Sequence, residues 1–124
     1  MSKRRVGMGI QSLRSYAMAL PDVTEEPHFT YASFRVRGKI FVTVPPEATH
    51  IHVFVDEEDR APALAMYPEF IEKLWWGKKV QGLRIAIAKA QSHVVESLVR
   101  AAWARKAPKA LLRQSDDHGG RRVR

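Results

Sequence analysis

Between Phe34 and Val44 apolar and charged residues alternate with the period of an extended strand. Phe34 and Val36 are interleaved with Arg35 and Arg37, Gly38 stands where a tight turn needs tolerance of positive φ, and Ile40, Val42 and Val44 resume the pattern. This predicts a β-hairpin with one oily face and one cationic face. Upstream, Ile10, Leu13, Ala17 and Leu20 recur at helical spacing with Tyr16 beside them, predicting a helix from about Met8 to Ala19 that Pro21 ends. Asp22 to His28 reads as a polar connection, and the first strand is expected around His28 to Tyr31.

Pro45-Pro46 interrupts the sheet, because neither residue can donate a backbone N–H. Ile51, Val53 and Val55 then alternate with His50, His52 and Phe54, and the first set is expected to face the core. Pro62 is tolerable in the first turn of a helix, which places the start of a short helix near Asp59, with the run Asp56 to Asp59 at the positive end of its dipole. Phe70 to Lys79 is irregular and reads as a distorted strand or a loop, with Gly77 turning the chain into a strand from Leu83 to Lys89. Neighbours in an extended segment face opposite ways, so one of Trp75 and Trp76 is expected to be buried and at most one exposed. Ser92 is the expected N-cap of a last helix whose stripe is Val95, Leu98, Val99, Ala102 and Trp103.

These elements make an α+β two-layer sandwich, an antiparallel sheet covered on one face by the N- and C-terminal helices. The domain is expected over residues 1–112, followed by a basic, disordered tail over 113–124.

Charge changes this picture less than its total implies. The 124 residues carry a formal net charge of +8, but +3 of it lies in residues 1–5 and +2 in residues 113–124. The body between them sets fourteen cations against eleven anions. The ends could hold a polyanion or serve only as solubilising termini. There is no cysteine, which excludes disulfides, thiol nucleophiles and thiolate metal sites. Lys3, Arg4 and Arg5 are followed by Gly7, Gly9, Gln11, Ser12 and Arg14 rather than by an apolar run, so a cytoplasmic soluble protein is expected, without membrane association.

Two clusters could carry binding. On the polar sheet face Arg35, Arg37, Lys39, His50, His52 and Arg84 could converge on phosphates, or could simply be the solvated face of a two-layer fold. Lys73, Trp75, Trp76, Lys78 and Lys79 interleave cations with large aromatics, which suits stacking on unpaired bases if the rings are exposed and core packing if they are not. His50 and His52 share one strand face, but two histidines do not make a metal site, and no metal or cofactor is expected. No nucleophile with a base, phosphate loop or paired carboxylates stands out, so no catalytic residue is assigned and the protein is not expected to be an enzyme.

Leu20-Pro21, Val23-Thr24-Glu25-Glu26, Phe34-Arg35-Val36, Gly38-Lys39 with Phe41, Trp76-Gly77 and Ala107-Pro108-Lys109 occur in an order and spacing that resembles the MmcQ/YjbR-like proteins over residues 10–112. The resemblance implies a frataxin/CyaY-like sandwich and a DNA-binding role that rests on fold analogy. Lys78-Lys79-Val80-Gln81-Gly82 departs from the family's usual Gly-Trp approach to the next strand, which leaves that loop open. The first helix has only cations, which argues against a frataxin-like iron role. The resulting expectation is a monomer that binds DNA weakly and without sequence preference through Arg35, Arg37, Lys39, Arg84, Lys73, Trp76, Lys78 and Lys79. The alternative is a protein-interaction or small-ligand module.

Overall fold

The computed structural model describes residues 7–113; the expectations for Lys3, Arg4, Arg5 and the tail from 114 onward lie outside the described residues. The elements are α1 (Ile10–Ala19), β1 (Val23–His28), β2 (Tyr31–Val36), β3 (Lys39–Val44), β4 (His50–Val53), α2 (Glu57–Met66), β5 (Ile71–Trp76), β6 (Lys79–Ala86) and α3 (Ser92–Lys106). All six strands form one antiparallel sheet in the order β1-β2-β3-β4-β6-β5. The α3 helix packs on β3 and β4, α1 packs on β1 and α3, and α2 packs on β5, so the terminal helices cover one face.

The alternation from Phe34 onward produces the central β2–β3 hairpin, joined by Arg37-Gly38 with φ of 50° and 83°. Two successive positive φ values are what a type I′ turn requires, and its twist matches that of the flanking strands. The strict alternation expected through Ile40 does not hold. Phe34 pairs with Val42 and Arg35 with Ile40, which leaves Phe41 as the extra residue of a β-bulge. Phe41 and Val42 are therefore both fully buried, while Ile40 is turned to the half-exposed side.

Further boundaries differ from expectation for identifiable reasons. The chain from His28 to Tyr31 is not a strand of its own: Phe29-Thr30 is the turn between the paired ends His28 of β1 and Tyr31 of β2, because Val23–His28 pairs along all of β2 despite its acidic residues and Pro27. As an edge strand, β1 tolerates a proline and charges that a central strand would not. The α2 helix begins at Glu57, two residues before the expected start, which puts Pro62 at its sixth position. The proline forgoes a bond to the Glu58 carbonyl on an exposed stretch, where solvation replaces it. Phe70 to Lys79 resolves into β5 and its turn, and β6 begins at Lys79, ahead of Leu83. Ser92 is the first residue of α3, with Gln91 at the N-cap and no side-chain capping bond.

Between the layers lie Leu13, Ala17, Phe34, Val42, Ile51, Val53, Leu83, Ile85, Val95, Val99 and Trp103. Ile51, Val53 and Val55 face this core as their spacing predicts. Trp103 also carries a polar atom into it, and its Nε1–H donates to the Pro21 carbonyl at 3.0 Å, tying α3 to the end of α1. No described helix is long and apolar enough to cross a membrane.

Candidate functional site: an aromatic groove on the open sheet face

The helices leave the other sheet face bare, and a groove of about 820 Å³ runs across it. At one end the β1–β2 turn supplies His28, Phe29 and Tyr31; the floor is Thr43 and His52; the β5–β6 hairpin supplies Leu74, Trp75, Trp76 and Gln81. Ile40, Phe54 and the cations Arg35, Lys39 and Lys106 complete the lining. Lys106 reaches the groove from the last turn of α3.

Local backbone geometry explains why large aromatic side chains are displayed here. Phe29 stands in the β1–β2 turn with φ of 60°, a conformation that favours glycine, and its ring is 92% exposed against His28 at a centroid distance of 4.8 Å. Both tryptophans are exposed, Trp75 by 55% and Trp76 by 73%, so the expectation that one would be buried is corrected. The β5 strand is an edge, and its register against β6 shifts after Leu74, with Trp75 opposite Val80 and Gln81 unpaired. The stronger twist at such a bulge brings both neighbouring rings to the groove. Gly77, at φ of 61°, closes this hairpin.

The cations divide into two classes. Arg84 is bonded to Glu72 at 2.5 Å, Arg37 to Asp22 at 2.5 Å, and Arg35 donates to Ser33 Oγ at 3.0 Å and to the Pro27 carbonyl at 3.2 Å, with Glu26 at 3.8 Å. These arginines fix strands to one another. Among the described residues, Lys39, Lys78 and Lys79 form no ion pair. Lys106 lies where burial, reinforced by Arg105 and Lys39, lowers its pKa below lysine's ordinary value, with Asp56 acting the other way.

Of the residues singled out in the sequence, Arg35, Lys39 and Trp76 meet in the groove, joined by Trp75 and His52. Arg84 is opposite His52 across the β4–β6 pair, and Arg37 is in the β2–β3 turn. Lys73 and Lys79 line a separate cleft beside α2, where Lys73 Nζ lies 5.6 Å from the Trp75 ring centroid. Lys78 is in the β5–β6 turn. On the floor, burial lowers the His52 pKa below histidine's ordinary value, and Arg84 and His50 push the same way; Nδ1 is 3.4 Å from Thr43 Oγ1. Among the described residues no three histidine or carboxylate side chains converge where a metal could be held.

The model of the YjbR family matches residues 18–105, which is most of the chain and all of the sheet. The chain belongs to the YjbR family. A crystal structure of the Deinococcus radiodurans protein DR2400, with a domain described as DUF419, is similar in fold at a TM-score of 0.68. That likeness covers 82% of this chain and 80% of the other at 15% identity. No curated protein matches the sequence. The six-stranded sheet of this YjbR-family protein is thus a shared scaffold, and the groove chemistry has to be read from its own residues.

Phe29, Tyr31, Phe54 and Lys106 joined the groove without being singled out in the sequence. Phe29 was hidden by reading the β1–β2 turn as strand. Lys106 has a sufficient local role of its own, since a cation in the last turn of a helix complements the dipole. No local pattern signals that a helix C-terminus meets the rim of the opposite sheet face.

Proposed function

We propose that this YjbR-family protein is a monomeric cytoplasmic nucleic-acid-binding protein that uses its open sheet face, and that it acts by binding and not by catalysis. One observation carries the reading: exposed aromatic rings share the groove with Lys39 and Lys106, neither of which forms an ion pair among the described residues. Aromatic rings offer stacking surfaces to bases, and lysines offer charge to phosphates. The carboxylates nearest the sheet, Glu25, Glu26 and Glu72, each face an arginine, an arrangement suited to structure and unlike a paired acid and base.

Anisotropy titration of labelled DNA with the full chain tests it. Affinity of about 10⁻⁴ to 10⁻⁶ M is expected at physiological salt, weakening as salt rises. Lys39→Gln with Lys106→Gln should weaken binding further, whereas replacing the arginines of residues 121–124 by Gln should leave most of it. Binding lost only with those terminal arginines would refute the role of the sheet face.

The apolar share of the groove lining supports a second reading as a small-ligand site, since its volume is of the size such sites have. Calorimetric binding of a small aromatic anion, with no response to DNA, would favour it.

A further inference from the structure

Resting on the nucleic-acid reading, we propose that the groove takes an unpaired strand, with bases stacked on Trp75, Trp76 and Phe29 and phosphates held by Lys39 and Lys106. The fold fully buries Trp103, Phe34 and Phe41, so its core does not lack room for aromatics in general. The three exposed rings instead stand at the two turns that bound the groove, and one of them is held in a left-handed conformation that a bulky residue rarely adopts. Flat rings exposed in this way match the faces of bases, and a base presents its face only when it is not stacked in a duplex.

Charge points the same way. A duplex would have to be held by cations along two phosphate backbones, and on this face Arg35, Arg37 and Arg84 already face Glu26, Asp22 and Glu72. Those carboxylates also repel phosphate. The complementary charge that remains belongs to Lys39 and Lys106 on the groove and to Lys78 in the tryptophan turn, while Lys79 lines the cleft beside α2. Three lysines suit one backbone passing over an aromatic floor, with a slope of at most about 2 log units of affinity per tenfold change in salt.

The tryptophans make the test direct. Trp103 is sealed in the core while Trp75 and Trp76 are exposed, so a stacked base quenches the exposed pair. The full chain is titrated with a single-stranded oligonucleotide, its duplex, and an abasic strand of equal phosphate number. The single strand should quench the emission and bind at least about tenfold tighter than either competitor, and Trp75→Ala or Trp76→Ala should each cost about tenfold to a hundredfold. Near-UV circular dichroism of Trp103 verifies that both variants fold. If duplex and abasic strand bind as tightly as the single strand and neither substitution matters, the stacking inference falls while nucleic-acid binding stands. If none of the three polymers binds, the nucleic-acid reading falls with it.

Discussion

Replacing Gly82 by alanine probes the seat of the hairpin that displays the tryptophans. Gly82 lies in β6 opposite Leu74, and a Cβ at this position would stand 2.2 Å from the Val53 carbonyl oxygen and 3.0 Å from Phe54 Cα. In an ordinary strand the change would be favourable by about 0.4 to 1 kcal/mol, because alanine restricts the unfolded chain. Here the obstruction is the backbone of β4, which cannot rotate aside as a side chain would. Relieving it requires β4 and β6 to part by about 1 Å, in the pair that joins Val53 to Leu83 and Ile51 to Ile85. Overpacking costs about 1 to 3 kcal/mol, and a 2.2 Å approach to backbone places this case in the upper half of that range, so the net loss is about 1 to 2.5 kcal/mol, or a Tm lowered by roughly 4 to 11 °C. Urea unfolding followed by circular dichroism should show a lower midpoint at unchanged slope. A midpoint equal to or above that of the native protein would refute the steric argument.

Other substitutions separate core from groove. Trp103→Ala should cost about 3 to 5 kcal/mol and Trp103→Phe about 1 to 2 kcal/mol through the lost bond to Pro21, both measured by denaturant titration. Trp75→Ala and Trp76→Ala should leave stability within about 0.5 kcal/mol in the same assay, because both rings are exposed. His52 has a folded pKa below its unfolded value of 6.5, so the folded state binds fewer protons in the interval between the two. Its contribution is complete above pH 6.5 and is lost as pH falls below that value. Urea midpoints compared at about pH 7.5 and about pH 5 should fall less for His52→Gln than for the native chain.

Periodicity alone determined the layer arrangement. The helical spacing of Leu13 with Ala17 and of Val95 with Val99, and the alternation around Phe34, Ile51 and Leu83, follow from a simple constraint: each element has one side to bury. Matching those sides yields two layers with the terminal helices on one of them. Gly38 was legible for a similar local reason, since a two-residue hairpin turn demands positive φ.

The tertiary structure decided the registers and the groove. Whether Phe41 or Ile40 is buried depends on a bulge set by pairing with β2, and the same holds for the tryptophans, whose shared exposure follows from the edge position of β5 and the slip at Gln81. Neither has a signature within a window of sequence, because a one-residue shift in pairing reverses which side a residue faces without altering the chain itself. The basic face looked continuous in sequence because arginines at 35, 37 and 84 alternate with apolar residues; their carboxylate partners are 9 to 15 residues away and meet them only after folding. Lys106 joins Lys39 on the groove for the same physical reason: the position of a charge along the chain does not determine which charges it will neighbour in space.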